Sequence, residues 1–315
     1  MRRLSQIKRL LLDRAYRRSR GYRVPTIGAR PDTIPEYYLS TVTIVRNEAK
    51  YIREFVAFHQ LVGVDHMLIC MDVSFDQSTH DAISDFVEQG FVELVVWPRF
   101  LKDRNNQFLA YQYALALLRN RTSWLAMIDA DEFLFAPSSF DLCAELRARE
   151  RFCALSVYSH TFGTGGISSI PEGGLVIETL IKRGAANHVK NTTHRTIVRP
   201  WAVEAIRSAN TCVLSETDCL GWDEDGRPVY ETGETGHSSQ HLRINHYFTR
   251  AEEDFSAKLS RQYFGKGGHA VKMQGKLLEA SDGLLSAEQD TTLHRYLPEL
   301  EKLMNRGGRP VRRLT

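Results

Sequence analysis

The sequence predicts an α/β protein in which a mostly parallel, Rossmann-like central sheet is flanked by helices. Three observations lead to this fold class. Apolar, β-branched runs alternate with amphipathic segments, glycine follows several of those segments, and the fourth apolar run leads directly into a pair of acidic residues. Strands that alternate with helices in this way predict right-handed crossovers, with ligands bound at the carboxyl ends of the strands.

The regular part of this pattern lies in the first half of the chain. Strands are predicted at residues 39–45, 67–71, 91–97 and 124–128. The first predicted helix has Asn47 as its N-cap, carries His59 on its apolar face as a structural residue, and ends at Gly63. Further helices are predicted at about residues 79–89, with Gly90 as the stop, and 106–120.

The second half of the chain is less regular. Ser138 and Asp141 resemble a capping box for a helix that runs to about residue 150. A strand is predicted at residues 152–158, and helices are predicted at about 251–263 and 288–304. Five glycines between residues 163 and 174 interrupt the pattern, so residues 160–245 are expected to form loops and short strands that hold an acceptor site.

Composition excludes several classes of protein. The 315 residues are 43% hydrophobic and 25% charged, which is typical of globular proteins and excludes the disordered and fibrous classes. The five cysteines form no CxxC pair, which argues against a disulfide framework or a thiolate zinc site and favours a reducing compartment. Because no apolar run reaches the roughly 18–20 residues that a transmembrane helix needs, the sequence predicts a cytoplasmic protein.

Positive charge is concentrated at the amino terminus. The chain has a net charge of +3, whereas residues 1–24 carry nine basic side chains against one acid, which is +8 there and leaves −5 for the rest. An acidic body argues against nucleic-acid binding. Apolar residues recur at helical spacing among the basic ones, as in a helix that lies on an anionic membrane surface: Leu4, Ile7, Leu10 and Leu11. A solvated basic tail is the alternative.

The acidic sequence Asp129-Ala130-Asp131 carries the most informative chemistry. Two carboxylates separated by one residue, in a loop at the end of a strand, can point to one side. Oxygen ligands of this kind hold Mg²⁺ or Mn²⁺ ions that also bridge phosphate oxygens. A solvated acidic turn is the alternative reading, but the apolar strand before the motif and its predicted place at the carboxyl edge of the sheet favour a site.

Four segments resemble glycosyltransferase family 92 and the bacterial family 2-like transferases of the GT-A type. They are residues 43–48 (TIVRNE), 124–134 (WLAMIDADEFL), 195–200 (RTIVRP) and 244–250 (INHYFTR), the last followed by Glu252, Glu253, Phe255 and Lys258. The resemblance covers about residues 38–300. The resemblance predicts a GT-A domain (36–305) with a nucleotide-binding half (36–135) and an acceptor-binding half (136–305). The charge pattern separates a basic amphipathic segment (1–35) and a basic tail (306–315) from this domain.

The resemblance also implies roles for particular residues. Asp129 and Asp131 would form the metal and diphosphate motif, with His246 as a further metal ligand for Mn²⁺ or Mg²⁺. The nucleotide pocket would be lined by Arg46, Asn47, Glu48 and Asp72, with Ser74 and Asp76 nearby, and diphosphate charge would be offset by Lys190, Arg195 and Arg199. One departure from the family pattern is Ser208-Ala209-Asn210, where a histidine is expected.

The resemblance implies an inverting transferase that uses UDP-sugars, often UDP-galactose. Departure of the sugar leaves negative charge on the diphosphate, which a divalent ion and basic side chains stabilise. Inversion also needs a carboxylate that takes the proton of the acceptor hydroxyl. The candidates for this base are Asp223, Glu224, Asp225, Glu231, Glu234, Glu252 and Glu253. Among them we predict Asp223, Asp225 and Glu253 as catalytic residues. Trp222 beside Asp223 suits a sugar-stacking site, although a core tryptophan fits as well.

Other functions stay open at the level of sequence. His237, His241 and His246 have the H-x3-H-x4-H spacing of a zinc site, but the glycines and serines among them disfavour the helix that such a site needs. A nucleotidyltransferase needs a glycine-rich loop after the first strand, which is absent here. A phosphate-metal hydrolase and a non-catalytic carbohydrate-binding protein are further alternatives. The leading expectation is hexose transfer to a glycan or glycolipid in surface polysaccharide synthesis, at the inner face of a membrane.

Overall fold

The computed structural model describes residues 32–72, 76–97, 106–186, 188–208, 210–215, 217, 219–263 and 283–305. The predicted amphipathic helix within residues 1–24, Ser74 and the basic tail 306–315 lie outside these ranges. Within them, the predicted α/β fold class is confirmed.

The described strands are β1 (Tyr37–Val45), β2 (His66–Asp72), β3 (Val92–Trp97), β4 (Thr122–Met127), β5 (Glu132–Phe135), β6 (Ala154–Thr161), β7 (Lys182–Arg183), β8 (His194–Val198), β9 (Val203–Ile206), β10 (Cys212–Leu214), β11 (Gly221–Trp222), β12 (Pro228–Val229), β13 (Arg243–His246) and β14 (Glu288–Gln289). The α-helices are α1 (Ile52–Leu61), α2 (Gln77–Glu88), α3 (Asn106–Leu118), α4 (Leu142–Arg147), α5 (Val176–Thr179), α6 (Glu252–Tyr263) and α7 (Leu297–Asn305), and 3₁₀ helices occupy Val189–Thr192, Pro200–Ala202 and Thr292–Tyr296.

The central sheet has the strand order β12-β11-β6-β8-β4-β1-β2-β3. Its β4-β1-β2-β3 half is entirely parallel, as predicted, whereas β8 runs antiparallel to both of its neighbours, β4 and β6. Strand β13 lies between β5 and β6, antiparallel to the first and parallel to the second. Consequently β4, β6 and β13 run in the same direction, and their carboxyl ends lie at one edge of the sheet.

The two faces of the sheet bury separate apolar clusters. Along β2, Met67, Ile69 and Met71 pack in the cluster that contains Phe55 and Phe58 of α1, whereas Leu68 and Cys70 pack in the cluster that contains Tyr111 and Leu115 of α3. This alternation follows from the two-residue period of a strand. Because such a strand is covered on both faces, its sequence is a continuous apolar run, as is usual in parallel sheets. The strands of the parallel half are therefore easy to recognise in the sequence.

Helix α1 begins later than predicted. Asn47 is not its N-cap; it has a φ of 55°, in the left-handed region that asparagine tolerates. The backbone oxygen of Glu48 accepts hydrogen bonds from the N–H groups of Tyr51 and Ile52, and Tyr51 is the N-cap. The predicted stop is confirmed, since Gly63 follows the helix with a φ of 100°.

Two predictions in the second half are wrong in detail. The N-cap of α4 is Asp141, whose carboxylate accepts from the N–H of Ala144 at 2.8 Å, so Ser138 forms no capping box. The long helix predicted at residues 288–304 is divided into β14, a 3₁₀ helix and α7. Strand β14 pairs with β7, and Pro298, which lacks an N–H, lies in the first turn of α7.

Two further sequence expectations concern cysteines and membrane spans. All five cysteines are free thiols. None of the helices in the described ranges combines the length and the apolar character needed to cross a bilayer.

His59 has the structural role that the sequence predicts. Its ring is fully buried; Nδ1 lies 2.8 Å from the backbone oxygen of Phe55, and Nε2 accepts from the N–H of Leu134 at 3.3 Å. This second contact ties α1 to β5, the strand that follows the acidic motif. Burial lowers the pKa of His59 to about 4, so the ring is neutral at pH 7.

We expect the His59→Phe variant to lose about 1–3 kcal/mol of the free energy of unfolding at pH 7, because the buried N–H of Leu134 loses its acceptor. Between pH 7 and pH 5, the free energy of unfolding of this variant should also fall less than that of the wild-type chain. A histidine whose folded pKa lies below its unfolded value contributes stability at neutral pH that is lost as the pH falls from about 6.5 toward 4. Urea unfolding at pH 7 and pH 5 measures both effects. His80→Phe, at a partly exposed histidine of α2, is the control, and equal losses in the two variants would contradict the role of His59.

Candidate functional site

The acidic motif forms the turn between β4 and β5, at the carboxyl edge of the sheet. Glu132 is the first residue of β5 and lies opposite His246, the last residue of β13. The backbone N–H of Tyr247 donates to the backbone oxygen of Asp131 at 2.8 Å. The register of three strands therefore brings His246, from the far end of the sequence, beside the motif.

Arg195 connects two carboxylates of this turn. Its Nε donates to Glu132 Oε2 at 2.6 Å, and its Nη2 donates to Asp129 Oδ2. Its Nη1 donates to Asn210 Oδ1 at 2.6 Å. The side chain is 7% exposed, and the two carboxylates raise the pKa of its guanidinium against the effect of burial. Arg195 thus reaches the predicted site, and Asn210 supplies its third acceptor in the segment where a histidine is expected.

Asp129 is also held by two side chains of α3 that the sequence does not single out. Gln107 Nε2 donates to Asp129 Oδ1 at 2.7 Å, and the Tyr111 hydroxyl lies 3.4 Å from the same oxygen. Burial raises the pKa of Asp129 to about 6, although Arg195 acts in the opposite direction. The four-residue spacing of Gln107 and Tyr111 in a predicted helix is the signal that could have found them.

Asp131 faces a different set of partners. Its Oδ1 lies 3.4 Å from His246 Nε2, and its Oδ2 accepts from Lys258 Nζ at 3.1 Å. Burial alone would raise the pKa of Asp131, but Lys258 and His246 hold it well below its usual range. Burial alone would likewise lower the pKa of His246, and Asp131 raises it instead.

Arg250 joins the motif to the segment predicted to line the nucleotide pocket. The Nη2 atom of Arg250 lies 2.7 Å from Glu48 Oε2, and it also donates to the backbone oxygen of Ala130 at 3.4 Å. Its guanidinium carbon lies 4.4 Å from the ring centroid of Tyr51. Both Asn47 and Arg250 have left-handed backbone conformations without being glycine, and such strain is concentrated at functional sites.

The donor groups present fit a divalent ion that is shared with a ligand. Asp131 Oδ1 and His246 Nε2, at 3.4 Å, are close to the separation of about 3 Å for neighbouring ligands at 2.1 Å from one octahedral ion. Asp129 is the third predicted ligand, but both of its carboxylate oxygens already accept hydrogen bonds from side chains of this chain, Oδ1 from Gln107 and Oδ2 from Arg195. Within the described ranges, no group of three acidic, histidine or cysteine side chains is arranged to hold a metal. Mg²⁺ in nucleotide sites commonly has one or two protein ligands and completes its shell with phosphate and water oxygens.

For the other residues predicted to contact the nucleotide, the structure gives a position in the fold but no contact with the acidic motif among the described residues. Arg46 is exposed just after β1, and Asp72 ends β2, where the three following residues lie outside the described ranges. Lys190 belongs to the 3₁₀ helix Val189–Thr192. Arg199 lies elsewhere: its guanidinium carbon is 4.2 Å from the ring centroid of Trp124, near the start of β4, so it cannot offset charge at the opposite edge.

The carboxylates predicted after Trp222 differ in accessibility. Asp223 is fully buried; its Oδ1 accepts from the N–H groups of Asp225 and Arg227, and its Oδ2 lies 2.8 Å from His237 Nδ1. This arrangement shapes the β11–β12 turn and leaves Asp223 out of reach of an acceptor. Asp225 is exposed and lies 3.5 Å from Arg227. Glu224 accepts from three backbone N–H groups, of residues 240, 241 and 242.

Trp222 is part of the protein's own packing. Its ring stacks on Phe152 with a centroid distance of 5.3 Å, and the strand residue opposite it is Leu155. Leu155 lies near the start of β6, whereas Thr161, which pairs with His246, ends that strand. Six residues of a strand span about 20 Å, so Trp222 lies far from the acidic motif. The sugar-stacking prediction for Trp222 is therefore not supported by its position.

The acidic residues at the start of α6 lie nearer to the motif. Glu253 is half exposed and pairs with Lys50 at 2.7 Å. The next residue, Asp254, accepts from the hydroxyl of Tyr51 at 2.5 Å, and Tyr51 is the ring against which Arg250 packs. The first turn of α6 is thereby connected to the segment that holds Ala130.

The three histidines of the zinc alternative do not come together. His237 is paired with Asp223, and His241 Nδ1 lies 3.2 Å from Glu145 Oε2. His246 alone reaches the acidic motif. The zinc interpretation is therefore excluded for these residues.

Comparison with known proteins shows the family to which the chain belongs. A sequence model of glycosyltransferase family 92 matches residues 37–220, a range that contains Asp129, Asp131 and Arg195. A glycosyltransferase family 92 protein of Oryza sativa subsp. japonica is 26% identical over 197 residues, which are 57% of this chain and 31% of that protein. Another, from Arabidopsis thaliana, is 23% identical over 255 residues, which are 72% of this chain and 38% of that protein.

This chain thus spans about a third of the length of these relatives. Among solved structures, that of S. aureus TarS 1-349 aligns over 86% of this chain and 73% of that chain, with 12% identity and a TM-score of 0.36. The family model matches more than half of the present sequence. The chain therefore belongs to glycosyltransferase family 92.

Proposed function

We propose that this chain transfers a hexose from a nucleotide-sugar to a hydroxyl group of a glycan or glycolipid, with inversion at the anomeric carbon. The observation that carries the proposal is the convergence of Asp131 and His246 at the carboxyl edge of the sheet, beside an Arg195 that fixes Asp129 and Glu132. Family membership supports the reaction class. The fold alone does not choose a substrate, because one scaffold serves many donors.

The donor proposed is a UDP-hexose, with UDP-galactose as the first candidate. Glu48 and Asn47 follow β1, and Asp72 ends the adjacent β2, so these residues border the edge where parallel sheets bind nucleotides. Asp131 and His246 would hold Mn²⁺ or Mg²⁺, which supplies Lewis-acid neutralisation of the leaving diphosphate.

The chain's own residues do the rest of the proposed chemistry. Arg195 keeps Asp129 and Glu132 in fixed positions, so the motif needs little reorganisation when substrate binds. Arg250 holds the segment that ends in Glu48 against Ala130. These fixed charges orient the donor, and the breaking bond is the one between the anomeric carbon and the β-phosphate oxygen.

Glu253 is the base that we propose for the acceptor. A general base must lie within hydrogen-bond reach of the proton that it removes. Glu253 is half exposed at the start of α6, whereas Asp223 is buried and Asp225 lies on the turn that follows Trp222. In the proposed step, the acceptor oxygen bonds to the anomeric carbon as its proton passes to the Glu253 carboxylate and UDP departs.

We also propose that the enzyme works on a surface polysaccharide precursor as a peripheral protein of the inner membrane face. The support is the charge of residues 1–24, which carry nine basic side chains against one acid and apolar residues at helical spacing.

Asp131→Asn tests the donor site. We expect UDP with Mn²⁺ to raise the melting temperature of the wild-type chain more than GDP, CMP or dTDP, because binding to the folded state adds about 2.7 kcal/mol of stability at 100 times Kd. Asp131→Asn should abolish this shift and the transfer of sugar. Asp81→Asn, at an exposed acid of α2, is the control. A full shift and full transfer in Asp131→Asn would contradict the proposal.

Glu253→Gln tests the base. We expect kcat for acceptor-dependent transfer to fall by about 100-fold or more, with the affinity for UDP and Mn²⁺ unchanged, because the carboxylate acts on the acceptor. Asp225→Asn is the matched variant on the β11–β12 turn, and it should retain most of its activity. The assignment fails if Asp225→Asn loses more activity than Glu253→Gln.

Vesicle co-sedimentation tests the membrane contact. We expect the full chain to sediment with vesicles that contain phosphatidylglycerol, and a chain that lacks residues 1–24 to remain in solution. Binding should weaken as salt is raised, because the attraction is electrostatic. Equal sedimentation of the two chains would remove residues 1–24 as the contact.

A further inference from the structure

We propose that Lys258 is a built-in counter-ion of Asp131, which a divalent ion displaces only when a diphosphate arrives to accept the lysine ammonium. Metal and nucleotide would then bind as a coupled pair, and Lys258 would be a donor-binding residue. This inference rests on the proposed function, and it concerns the order and coupling of ligands at the same site.

The contacts of Lys258 place its ammonium on the acidic motif. Its Nζ donates to Asp131 Oδ2 at 3.1 Å and to the backbone oxygen of Phe248 at 2.9 Å. The same atom lies 4.4 Å from the ring centroid of Phe248. The lysine side chain is 31% exposed and that of Asp131 is 14% exposed, so the ammonium covers the more deeply buried carboxylate.

The charges around the motif are nearly balanced without any ion. Four carboxylates in and beside the motif take part in ion pairs, namely Glu48, Asp129, Asp131 and Glu132, and their partners are three permanent cations, Arg195, Arg250 and Lys258. A divalent ion alone would leave this partly buried cluster with excess positive charge, which is costly away from bulk water. The diphosphate of a nucleotide carries the negative charge that restores the balance.

Among these three cations, Lys258 is the one whose contacts allow it to move. Arg195 donates to three different side chains, and Arg250 is fixed between Glu48 and the ring of Tyr51. A lysine ammonium is a point charge on a flexible four-carbon stem, and it binds phosphate oxygens without demanding a planar partner. By rotation of its side chain alone, the Lys258 ammonium can leave Asp131 and bind a phosphate oxygen. Helix α6 does not need to move.

The test measures metal binding in the absence of turnover. Free Mn²⁺ is monitored by electron paramagnetic resonance as the full chain is added, first with Mn²⁺ alone and then with UDP present. Lys258→Met and Lys258→Gln are compared with wild type. The matched control is Lys302→Met, because Lys302 pairs with Glu299 at 2.6 Å on α7, where its side chain is half exposed. Thermal unfolding verifies that each variant is folded. If Lys258→Met does not fold, the comparison uses Lys258→Gln.

Without the competing ammonium, the variants of Lys258 should bind Mn²⁺ alone at least about fivefold more tightly than wild type, and the enhancement of Mn²⁺ affinity by UDP should fall by at least about the same factor. Lys302→Met should match wild type. A change of less than about fivefold in the affinity for Mn²⁺ alone overturns the inference. If that affinity rises as expected while UDP leaves it unchanged in every chain, Lys258 remains the counter-ion of Asp131 and the proposed donor is wrong.

Discussion

A buried guanidinium between two carboxylates organises the candidate site. Arg195 comes from β8, Glu132 begins β5 and Asp129 follows β4, so one side chain ties three elements to the turn that carries the acidic motif. Breaking such a buried pair by removing one partner typically costs about 3–5 kcal/mol, because the remaining charge is left without compensation. The side chains that contact the motif, among them Gln107 and His246, therefore meet a turn that Arg195 holds in place.

The rest of the site is arranged around that turn by the sheet. Because β13 is inserted between β5 and β6, His246 reaches Asp131 from a segment more than a hundred residues later in the chain. Tyr247 and Arg250 then bond to the backbone of the motif, at Asp131 and Ala130. Two residues have left-handed backbones: Asn47, which precedes Glu48 in the chain, and Arg250, which forms the ion pair with Glu48. This ion pair joins the end of β1 to the start of α6.

Local signals in the sequence predict much of this fold. The strands of the parallel half are continuous apolar runs, and Gly63 and Gly90 mark helix ends by their left-handed conformations. The errors have non-local causes: β14 pairs with β7, so a helix cannot continue through Glu288, and the N-cap preference of Asn47 yields to a turn whose first acceptor is Glu48. The capping box at Ser138 fails because Asp141, three residues later, caps α4 itself.

The site is predicted less completely than the fold. The acidic motif is visible because an apolar strand precedes it, and His246 enters through the family resemblance, since no spacing rule connects it to Asp131. Gln107 and Lys258 reach the motif only in three dimensions, from two different helices. Asn210 likewise comes from a loop, and it contacts Arg195 and not the motif itself. The burial of Asp223 likewise depends on its pairing with His237 across a turn, which composition cannot reveal.

In the proposed function, Arg195 holds the acidic motif in the geometry that would bind a nucleotide diphosphate. The most direct measurement is the calorimetric affinity for UDP in the presence of Mn²⁺ for Arg195→Lys and for Arg227→Lys, the latter at an exposed arginine, with folding verified by thermal unfolding. A lysine cannot bridge Asp129 and Glu132 as the guanidinium does, so the first variant should bind at least about tenfold more weakly and the second like wild type. Equal affinities in a folded Arg195→Lys chain would contradict this role of Arg195.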